Sequence, residues 1–303
     1  MIRVLVTGAG GQVGAEVVRE LSGRAEVVAR ERAQLDLGDP ASIRAGVREA
    51  RADVIVNCAA YTAVDRAETD REAAHAVNAT GPGALAEEAR ASGALLVHFS
   101  TDYVYDGSKR APYLETDAVG PLSAYGETKL EGERAVADSG VKHLVLRTSW
   151  VYGPRGRNFL FTMVRLGRER PELRVVNDQR GAPTSSRALA RLVREVLERG
   201  GAGSLTRKGV DHAASLGGIY HATAAGETTW FGFAQAIFDE MLRQRRLDFT
   251  PPRLVPIVTR EYPTPAQRPA NSVLSNDKLR DAFGVAIPDW RRGLEEVVSA
   301  IPG

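Results

Sequence analysis

The sequence of 303 residues predicts an α/β fold, a doubly wound parallel sheet with a smaller, discontinuous C-terminal lobe. Two patterns point to this class. From residue 1 to about residue 150, short apolar runs alternate with longer helical stretches, as repeated βαβ units do. The runs VIVN at residues 54–57 and LLVHFS at residues 95–100 are apolar enough to be buried on both faces, which is typical of central parallel strands.

The first domain is predicted to span residues 1–150. Its strands are predicted at residues 3–6, 26–28, 54–57, 95–100 and 143–146, and its helices at residues 13–21, 41–50, about 69–91 and within 121–136. Asp39 and Pro40 mark the start of the second helix, because Asp is a frequent N-cap and Pro fits the first helical position.

Residues 151–303 are predicted to form mainly the second lobe, with some segments returning to the first domain. Helices are predicted near residues 159–170, 186–199, 229–244 and 289–299, and short strands at LRVV, GIYHA and RLVPI. Residues 200–218 are rich in Gly and Ser without an apolar period, so we predict an exposed, mobile loop there.

Composition and charge argue against several classes of protein. Hydrophobic residues make up 43% and charged residues 26% of the chain, which is typical of a soluble globular protein. A formal charge of +2 from scattered basic residues does not indicate a nucleic-acid partner, and no apolar run is long enough to indicate a membrane partner. The single cysteine, Cys58, excludes an internal disulfide framework, and the few histidines give no structural metal motif, so we expect a reducing, cytoplasmic location.

A glycine-rich turn follows the first strand and opens the next helix. In VLVTGAGGQVGAEVV, Gly8, Gly11 and Gly14 allow a tight turn and close backbone approach, with Gln12 and Val13 at the helix start. A helix N-terminus in that position favours the negative pyrophosphate of a dinucleotide. The spacing is GxxGxxG rather than GxGxxG, and a plain connecting turn is the alternative.

The end of the second strand bears on the type of dinucleotide. An acidic residue there binds a ribose 2′-hydroxyl, whereas an arginine accepts a 2′-phosphate. Arg30 and Arg32 flank Glu31, so we predict NADPH as the cofactor, with NADH also accepted; ordinary surface charges are the alternative. Further cofactor contacts are predicted at Asp36, Leu37, Ala59, Ala60 and Tyr61.

Candidate catalytic residues lie after the fourth strand and on the following helix. Thr101 leaves the carboxyl end of a strand, where open α/β sheets bind ligands. Tyr125 stands four residues before Lys129, so the two side chains share one face of a helix. A free tyrosine titrates near ~10, and a neighbouring ammonium is expected to lower that pKa toward the working range. Taken alone, such a pair also occurs by chance in ordinary helices.

Together, the glycine loop, the strand-end Thr101 and Tyr-x-x-x-Lys resemble the short-chain dehydrogenase/reductase superfamily, which has a Rossmann-type fold. The resemblance implies that Thr101 holds a substrate carbonyl, Tyr125 passes it a proton, and Lys129 binds the nicotinamide ribose and tunes the tyrosine. Asn78 resembles the superfamily's helix asparagine, whose kink hosts a water that links the lysine to solvent. A capping or surface role for Asn78 is the alternative.

Seven stretches resemble, in order, the dTDP-4-dehydrorhamnose reductase family of the nucleotide-sugar branch. They are GAGGQVG, NCAAYTAVDRAE, STDYVYDG, YGETKLEGE, RTSWVYG, NDQRGAPT and YPTPAQRPANS. The resemblance implies NAD(P)H-dependent reduction of the C4 ketone of dTDP-4-dehydrorhamnose to dTDP-L-rhamnose, the last step of a pathway that supplies cell-wall polysaccharide.

The same resemblance implies a set of substrate contacts. Thr101 and Asp102 are expected at the keto sugar and Trp150 against the sugar ring, although Trp150 as a core aromatic is a serious alternative. Asn177, Gln179 and Arg268 are expected at the dTDP moiety, where Arg268 suits a phosphate; a solvated Arg268 is the alternative. No metal-binding motif is found, although some family members bind Mg²⁺ at a dimer interface, and a homodimer is compatible with the resemblance.

Two other functions stay open. One is a reductase of another dTDP-4-keto-6-deoxysugar, because the sequence does not settle which face of the carbonyl receives hydride. The other is a non-catalytic regulatory binding subunit, as in the beta subunit of methionine adenosyltransferase, because a dinucleotide site does not guarantee turnover.

Overall fold

The structure is a computed structural model that describes residues 1–301. The strands are β1 Arg3–Thr7, β2 Glu26–Arg30, β3 Val54–Asn57, β4 Leu95–Thr101, β5 His143–Thr148, β6 Val151–Tyr152, β7 Glu172–Val176, β8 Arg180–Gly181, β9 Thr184–Ser185, β10 Gly218–His221, β11 Thr228–Thr229 and β12 Arg253–Ile257. The helices are α1 Gln12–Leu21, α2 Pro40–Ala50, α3 Val64–Ala67, α4 Arg71–His75, α5 Gly81–Ser92, α6 Ala124–Asp138, α7 Phe159–Glu169, α8 Ser186–Glu198, α9 Arg207–Ser215, α10 Trp230–Arg243, α11 Asp277–Phe283 and α12 Trp290–Ser299.

The main sheet has six parallel strands in the order β2-β1-β3-β4-β5-β10. The chain passes from β1 to β2 on one side and then returns to place β3 on the other side of β1. Ligands of doubly wound sheets bind at such a switch point, outside the carboxyl ends of the strands. The predicted Rossmann-type fold is confirmed.

Both faces of the sheet are covered, which explains the continuous apolar strands. In β1, Leu5 packs on one face with the core side chains of α2 and α5, whereas Val4 and Val6 pack on the other with those of α1 and α8. The predicted first-domain strands and the helices at 13–21 and 41–50 are confirmed. Asp39 caps α2 as expected, because its Oδ1 accepts a hydrogen bond of 2.9 Å from the Ala41 N–H.

The helix predicted at residues 69–91 contains an irregularity. Between α4 and α5 the backbone forms a π-helical turn at Ala76–Thr80. The turn packs closely on α6, since a Cβ on Gly132 would lie 2.0 Å from the Asn78 carbonyl oxygen. The glycine therefore lets α6 approach the bulged backbone.

The prediction of a mobile loop at residues 200–218 is wrong, because this stretch contains α9. The Thr206 side chain accepts from the Gly209 N–H at 3.2 Å and caps the helix. Val210 and Ala213, three residues apart, are fully buried. The apolar face of α9 is only one turn long, so the flanking Gly and Ser residues hide it in the sequence.

The second half of the chain completes the first domain as well as forming a lobe. Strand β10 pairs with β5 and closes that edge of the main sheet. Three two-stranded pairs, β7 with β12, β8 with β11 and β6 with β9, lie outside it. Among residues 1–301, no helix combines the length and the apolar character needed to cross a membrane.

Candidate active site

A cleft of about 980 Å³ opens at the carboxyl ends of the central strands. It is lined by the loops that follow β1, β2, β3, β4 and β5, by the start of α6 and by the start of α10. Predicted site residues that line it are Gly8, Gly11, Gln12, Val13, Asp36, Leu37, Ala59, Ala60, Tyr61, Thr101, Asp102, Tyr125, Lys129 and Trp150. Most of the predicted cofactor and catalytic residues are thus brought together.

The glycine turn forms a close-fitting cradle at the N-terminus of α1. Gly8 has a φ of 62°, and a Cβ there would lie 2.8 Å from the Ala59 Cα. A Cβ on Gly14 would lie 2.2 Å from the Gly8 carbonyl oxygen, so Gly14 acts beneath the cradle rather than in the cleft wall. A bare backbone at a helix N-terminus fits the pyrophosphate of a dinucleotide.

The charges at the end of β2 differ from the prediction. Arg30 does not line the cleft, because its guanidinium is turned to Glu49 at 3.0 Å. Arg32 does line it, with its Nε 3.2 Å from Asp36 Oδ2. The Glu31 carboxylate lies over the glycine turn, where a Cβ on Gly10 would be 3.0 Å from it. The cleft wall here therefore carries two carboxylates, Glu31 and Asp36, and one exposed cation, Arg32.

Asn78 is buried behind the cleft and does not line it. Its Oδ1 accepts from the Tyr61 N–H at 2.8 Å and its Nδ2 donates to the Tyr61 carbonyl oxygen at 3.1 Å. The second donation, to Thr128 Oγ1 at 3.3 Å, ties it to α6. Asn78 thus fixes the Tyr61 backbone, which does line the cleft.

The candidate catalytic residues meet where β4 ends and α6 begins. Thr101 and Lys129 are buried, and Tyr125 is partly exposed. The Thr101 hydroxyl donates to Asp102 Oδ1 at 2.9 Å. The helix can approach the strand end because its third residue is Gly126, where a Cβ would lie 2.3 Å from the Tyr103 carbonyl oxygen.

Burial dominates the electrostatics of these groups. It raises the pKa of the Tyr125 phenol to about 12, opposed by the Thr101 hydroxyl and reinforced by the negative charge of Asp102. It also raises the pKa of the Asp102 carboxyl to about 6 and lowers the pKa of Lys129 to about 8. The expected lowering of the tyrosine pKa by Lys129 is therefore not found in the protein alone, where Lys129 Nζ donates to the Phe99 carbonyl oxygen at 2.7 Å.

A buried ion pair holds α6 against the sheet. Glu133, one turn beyond Lys129, accepts from Arg147 of β5 at Nε (2.9 Å) and Nη2 (2.5 Å). The remaining Nη1 of Arg147 donates to Tyr105 Oη at 2.7 Å, which is 2.8 Å from His221 Nε2 of β10. The position of α6 thus depends on contacts from two strands, β5 and β10, and from Tyr105 in the segment after β4.

Two tryptophans form one wall of the cleft. Trp150 and Trp230 stack with ring centroids 3.6 Å apart and planes 9° from parallel. Trp150 has a φ of 47°, which is strained for a side chain of this size. Its indole also lies over Gly181, where a Cβ would be 2.4 Å from it. Trp230 was not predicted as a site residue, because it lies 80 residues from Trp150 in the chain.

The three residues expected at the dTDP moiety do not line this cleft. Gln179 is buried behind the wall, where its Oε1 accepts from Trp230 Nε1 at 3.1 Å. Asn177 Oδ1 accepts from the Thr229 hydroxyl at 2.7 Å. Arg268 pairs with Asp65 at 2.8 Å. The spacing of these motifs did not show that Gln179 supports an aromatic side chain.

The loop after β6 supplies a further lining segment that the sequence reasoning missed. Arg155, Gly156 and Arg157 line the cleft near the glycine turn. Gln12 connects the two segments, because its Nε2 donates to the Arg157 carbonyl oxygen at 3.3 Å and its Oε1 accepts from Asn158 Nδ2 at 3.1 Å. The sequence signal for this segment was the pair of arginines in GPRGRN, directly after a strand pattern.

Similarity to known proteins extends over nearly the whole chain. The family model described as RmlD substrate binding domain matches residues 2–302. The chain belongs to this family. A dTDP-4-dehydrorhamnose reductase of Burkholderia thailandensis is 48% identical over 299 residues, with 96% of each chain covered.

Two further proteins are similar to this chain over nearly its whole length. A probable dTDP-4,6-dihydroxy-2-methyloxan-3-one 4-ketoreductase of Streptomyces antibioticus is 42% identical, with 97% of this chain and 94% of the relative covered. A crystal structure of dTDP-4-dehydrorhamnose reductase from Bacillus anthracis in complex with NADP is 34% identical. It covers 98% of this chain and 99% of its own, with a TM-score of 0.88.

Residues 1–301 contain no group of three or more His, Cys, Asp or Glu side chains arranged to hold a metal ion. Cys58 lies at the cleft, and burial raises the pKa of its thiol far above the usual range, so the thiol is protonated at neutral pH.

Proposed function

We propose that this chain is an NADPH-dependent reductase, with NADH also accepted, that converts dTDP-4-dehydrorhamnose to dTDP-L-rhamnose. The observation that carries the proposal is that Thr101, Tyr125 and Lys129 share one cleft with the glycine cradle of α1. Likeness to reductases of this substrate over nearly the whole chain supports the choice of sugar nucleotide.

When bound, NADPH supplies the hydride for C4 of the sugar. The side chains of the protein act on the carbonyl oxygen. The Thr101 hydroxyl orients this oxygen, and the Tyr125 phenol donates a proton to it as negative charge develops. A pKa of about 12 keeps that phenol protonated at neutral pH, which is the state a proton donor requires. In this proposal, Lys129 binds the nicotinamide ribose.

Specificity for the sugar nucleotide is assigned to Asp102 and to the cleft wall formed by Trp150 and Trp230. Asp102, buried beside Thr101, is suited to a sugar hydroxyl. The stacked indoles of Trp150 and Trp230 offer a flat apolar surface for a sugar or a base. Gln179 and Asn177 support this wall from behind. Arg268 can contact a phosphate only if it gives up its ion pair with Asp65.

The test is NADPH oxidation, followed by absorbance, with enzymatically prepared 4-keto sugar nucleotide as substrate. We expect Tyr125→Phe to lower kcat by about 10²–10⁴-fold while NADPH affinity is nearly kept. The control is Tyr220→Phe, which removes the phenol hydroxyl of a buried β10 tyrosine outside the cleft. Activity that survives in Tyr125→Phe would show that the proton comes from another group.

A second candidate function is reduction of a different dTDP-4-keto-6-deoxysugar. The 42% identical ketoreductase of Streptomyces antibioticus favours keeping it. Identification of the product by NMR separates the two, because it gives the sugar and the configuration at C4 together. A protein that binds NADPH but never oxidises it with either sugar would instead fit a regulatory binding subunit.

We also infer a cytoplasmic location. It is supported by the single cysteine, which is a half-buried free thiol at the cleft, and by the nucleotide-sugar chemistry proposed for the site. A homodimer stays a prediction.

A further inference from the structure

A buried chain of polar side chains begins at Lys129, one turn of α6 after the candidate proton donor Tyr125. Lys129 Nζ is 3.4 Å from His98 Nε2, and His98 Nδ1 is 2.9 Å from Asn57 Nδ2. Asn57 Oδ1 accepts from the Thr7 hydroxyl at 2.6 Å. The four side chains are at most 1% exposed, so their polar atoms must be satisfied within the protein and the direction of each hydrogen bond can be assigned.

The backbone fixes the orientation of the asparagine. The Ala59 N–H donates to Asn57 Oδ1 at 3.2 Å, so the amide oxygen faces Ala59 and the amide NH₂ faces His98. An amide NH₂ only donates, and His98 Nδ1 therefore accepts. Burial lowers the pKa of His98 well below its usual value, so the ring is neutral. A neutral imidazole that accepts at Nδ1 carries its proton on Nε2.

The His98 Nε2–H therefore faces Lys129 Nζ. An ammonium has three donors and no acceptor, so an N–H group facing it is unfavourable, whereas an uncharged amine offers a lone pair. We infer that His98 is a positioning residue that favours the uncharged amine of Lys129 and holds it beside the Phe99 carbonyl oxygen. Lys129 then gains and loses a proton instead of being a permanent cation.

The other groups around Lys129 set the pH range in which its amine gains and loses the proton. Glu133, on the next turn of α6, favours the ammonium, but it is paired with Arg147 of β5. Tyr125, on the preceding turn, is protonated at neutral pH, and His143 of β5 acts on the imidazole rather than on the lysine. Burial lowers the pKa of Lys129 to about 8. Both protonation states are therefore accessible near neutral pH.

The catalytic meaning of this inference rests on the proposed function. In the proposed reductase, the ammonium form of Lys129 supplies the hydrogen-bond donors for the nicotinamide ribose. Because His98 favours the uncharged form in the free protein, nucleotide binding is accompanied by uptake of a proton from solvent at pH values near 8. His98 in this way links the charge of Lys129 to occupancy of the cleft.

The test uses NMR of the ligand-free protein, so it does not depend on turnover. The chain has only five histidines and five lysines, so selective ¹³C,¹⁵N labelling of histidine and ¹³C labelling of lysine resolve both side chains. We expect His98 to show the Nε2–H tautomer from pH 6 to 9, and Lys129, assigned with Lys129→Met, to titrate near neutral pH. An Nδ1–H tautomer or an imidazolium at His98 in the wild-type protein overturns the inference.

A matched pair of variants tests the link between the two residues. His98→Asn keeps an acceptor for Asn57 but removes the N–H that faces Lys129, and we expect the Lys129 midpoint to rise by about one pKa unit. His143→Asn, on the neighbouring strand, should leave it unchanged. An unmoved midpoint in His98→Asn contradicts the inference. If the proposed function fails instead, NADPH is not oxidised, and these spectra still report on His98 and Lys129.

Discussion

Asp102 is expected to reduce the stability of the folded protein at neutral pH. Burial raises its pKa from 3.8 to about 6, so the native state binds more protons than the unfolded state between these values. The free energy of unfolding therefore falls as the pH rises from about 4 to about 6, and the loss is complete above that range. Two pKa units correspond to an upper limit of about 3 kcal/mol.

Asp102→Asn removes the charge but keeps an oxygen that can accept from Thr101. We expect the variant to be up to about 3 kcal/mol more stable than the wild type at pH 8 and nearly equal to it at pH 4. Urea unfolding at both pH values measures the difference. Asp106→Asn is the control of opposite sign, because hydrogen bonds from Ser108 and Tyr113 lower the pKa of the exposed Asp106 carboxyl.

A variant that is less stable than the wild type by the same amount at both pH values would refute this reasoning, because the loss would then be one of packing. The expected gain also has a functional cost. The carboxylate lies beside Thr101 in the cleft, so Asp102→Asn should lower kcat/KM for the sugar nucleotide. Buried charges that weaken the fold are typical of functional sites.

Three other outcomes follow from the geometry. Gly14→Ala should lower NADPH affinity at least about tenfold in a fluorescence titration, since its Cβ would displace the cradle backbone, whereas Gly120→Ala meets only ordinary contacts. Glu133→Gln should destabilise the protein by about 3–5 kcal/mol in urea unfolding, because it leaves the buried Arg147 guanidinium without its anion. The control Glu131→Gln, at a half-exposed position, should change the free energy of unfolding little. Trp230→Leu should raise KM for the sugar nucleotide roughly tenfold and leave the KM for NADPH unchanged. Equal shifts in both KM values would contradict a contact between Trp230 and the sugar nucleotide.

Local sequence patterns were sufficient to predict those strands and helices whose apolar residues follow a regular spacing. The strands of the main sheet are continuous apolar runs, and the glycine turn adjoins the first of them, so both could be located from the sequence. Helix α9 could not, because Val210 and Ala213 form a single-turn apolar face between flanks rich in Gly and Ser. Its stability comes from tertiary contacts that no local window contains.

The site was predictable where its residues follow strand ends, and less so where distant segments meet. Which of Arg30 and Arg32 faces the cleft depends on Glu49 of α2, the partner of Arg30. Trp230 reaches the site only because α10 folds back onto Trp150. His98 did carry a signal, because a histidine within the buried run LLVHFS must find a hydrogen-bond partner.

The edge pairing of β10 with β5 has a consequence for the order in which the molecule is made. Until β10 is synthesised, β5 is an open sheet edge, and Arg147 and Tyr105 lack the histidine that completes their network. Translation at roughly 5–20 residues per second leaves that edge exposed on the ribosome for several seconds. Chains truncated between β5 and β10 should therefore depend on chaperones and pair wrongly with one another, even though every proposed catalytic residue has already been synthesised.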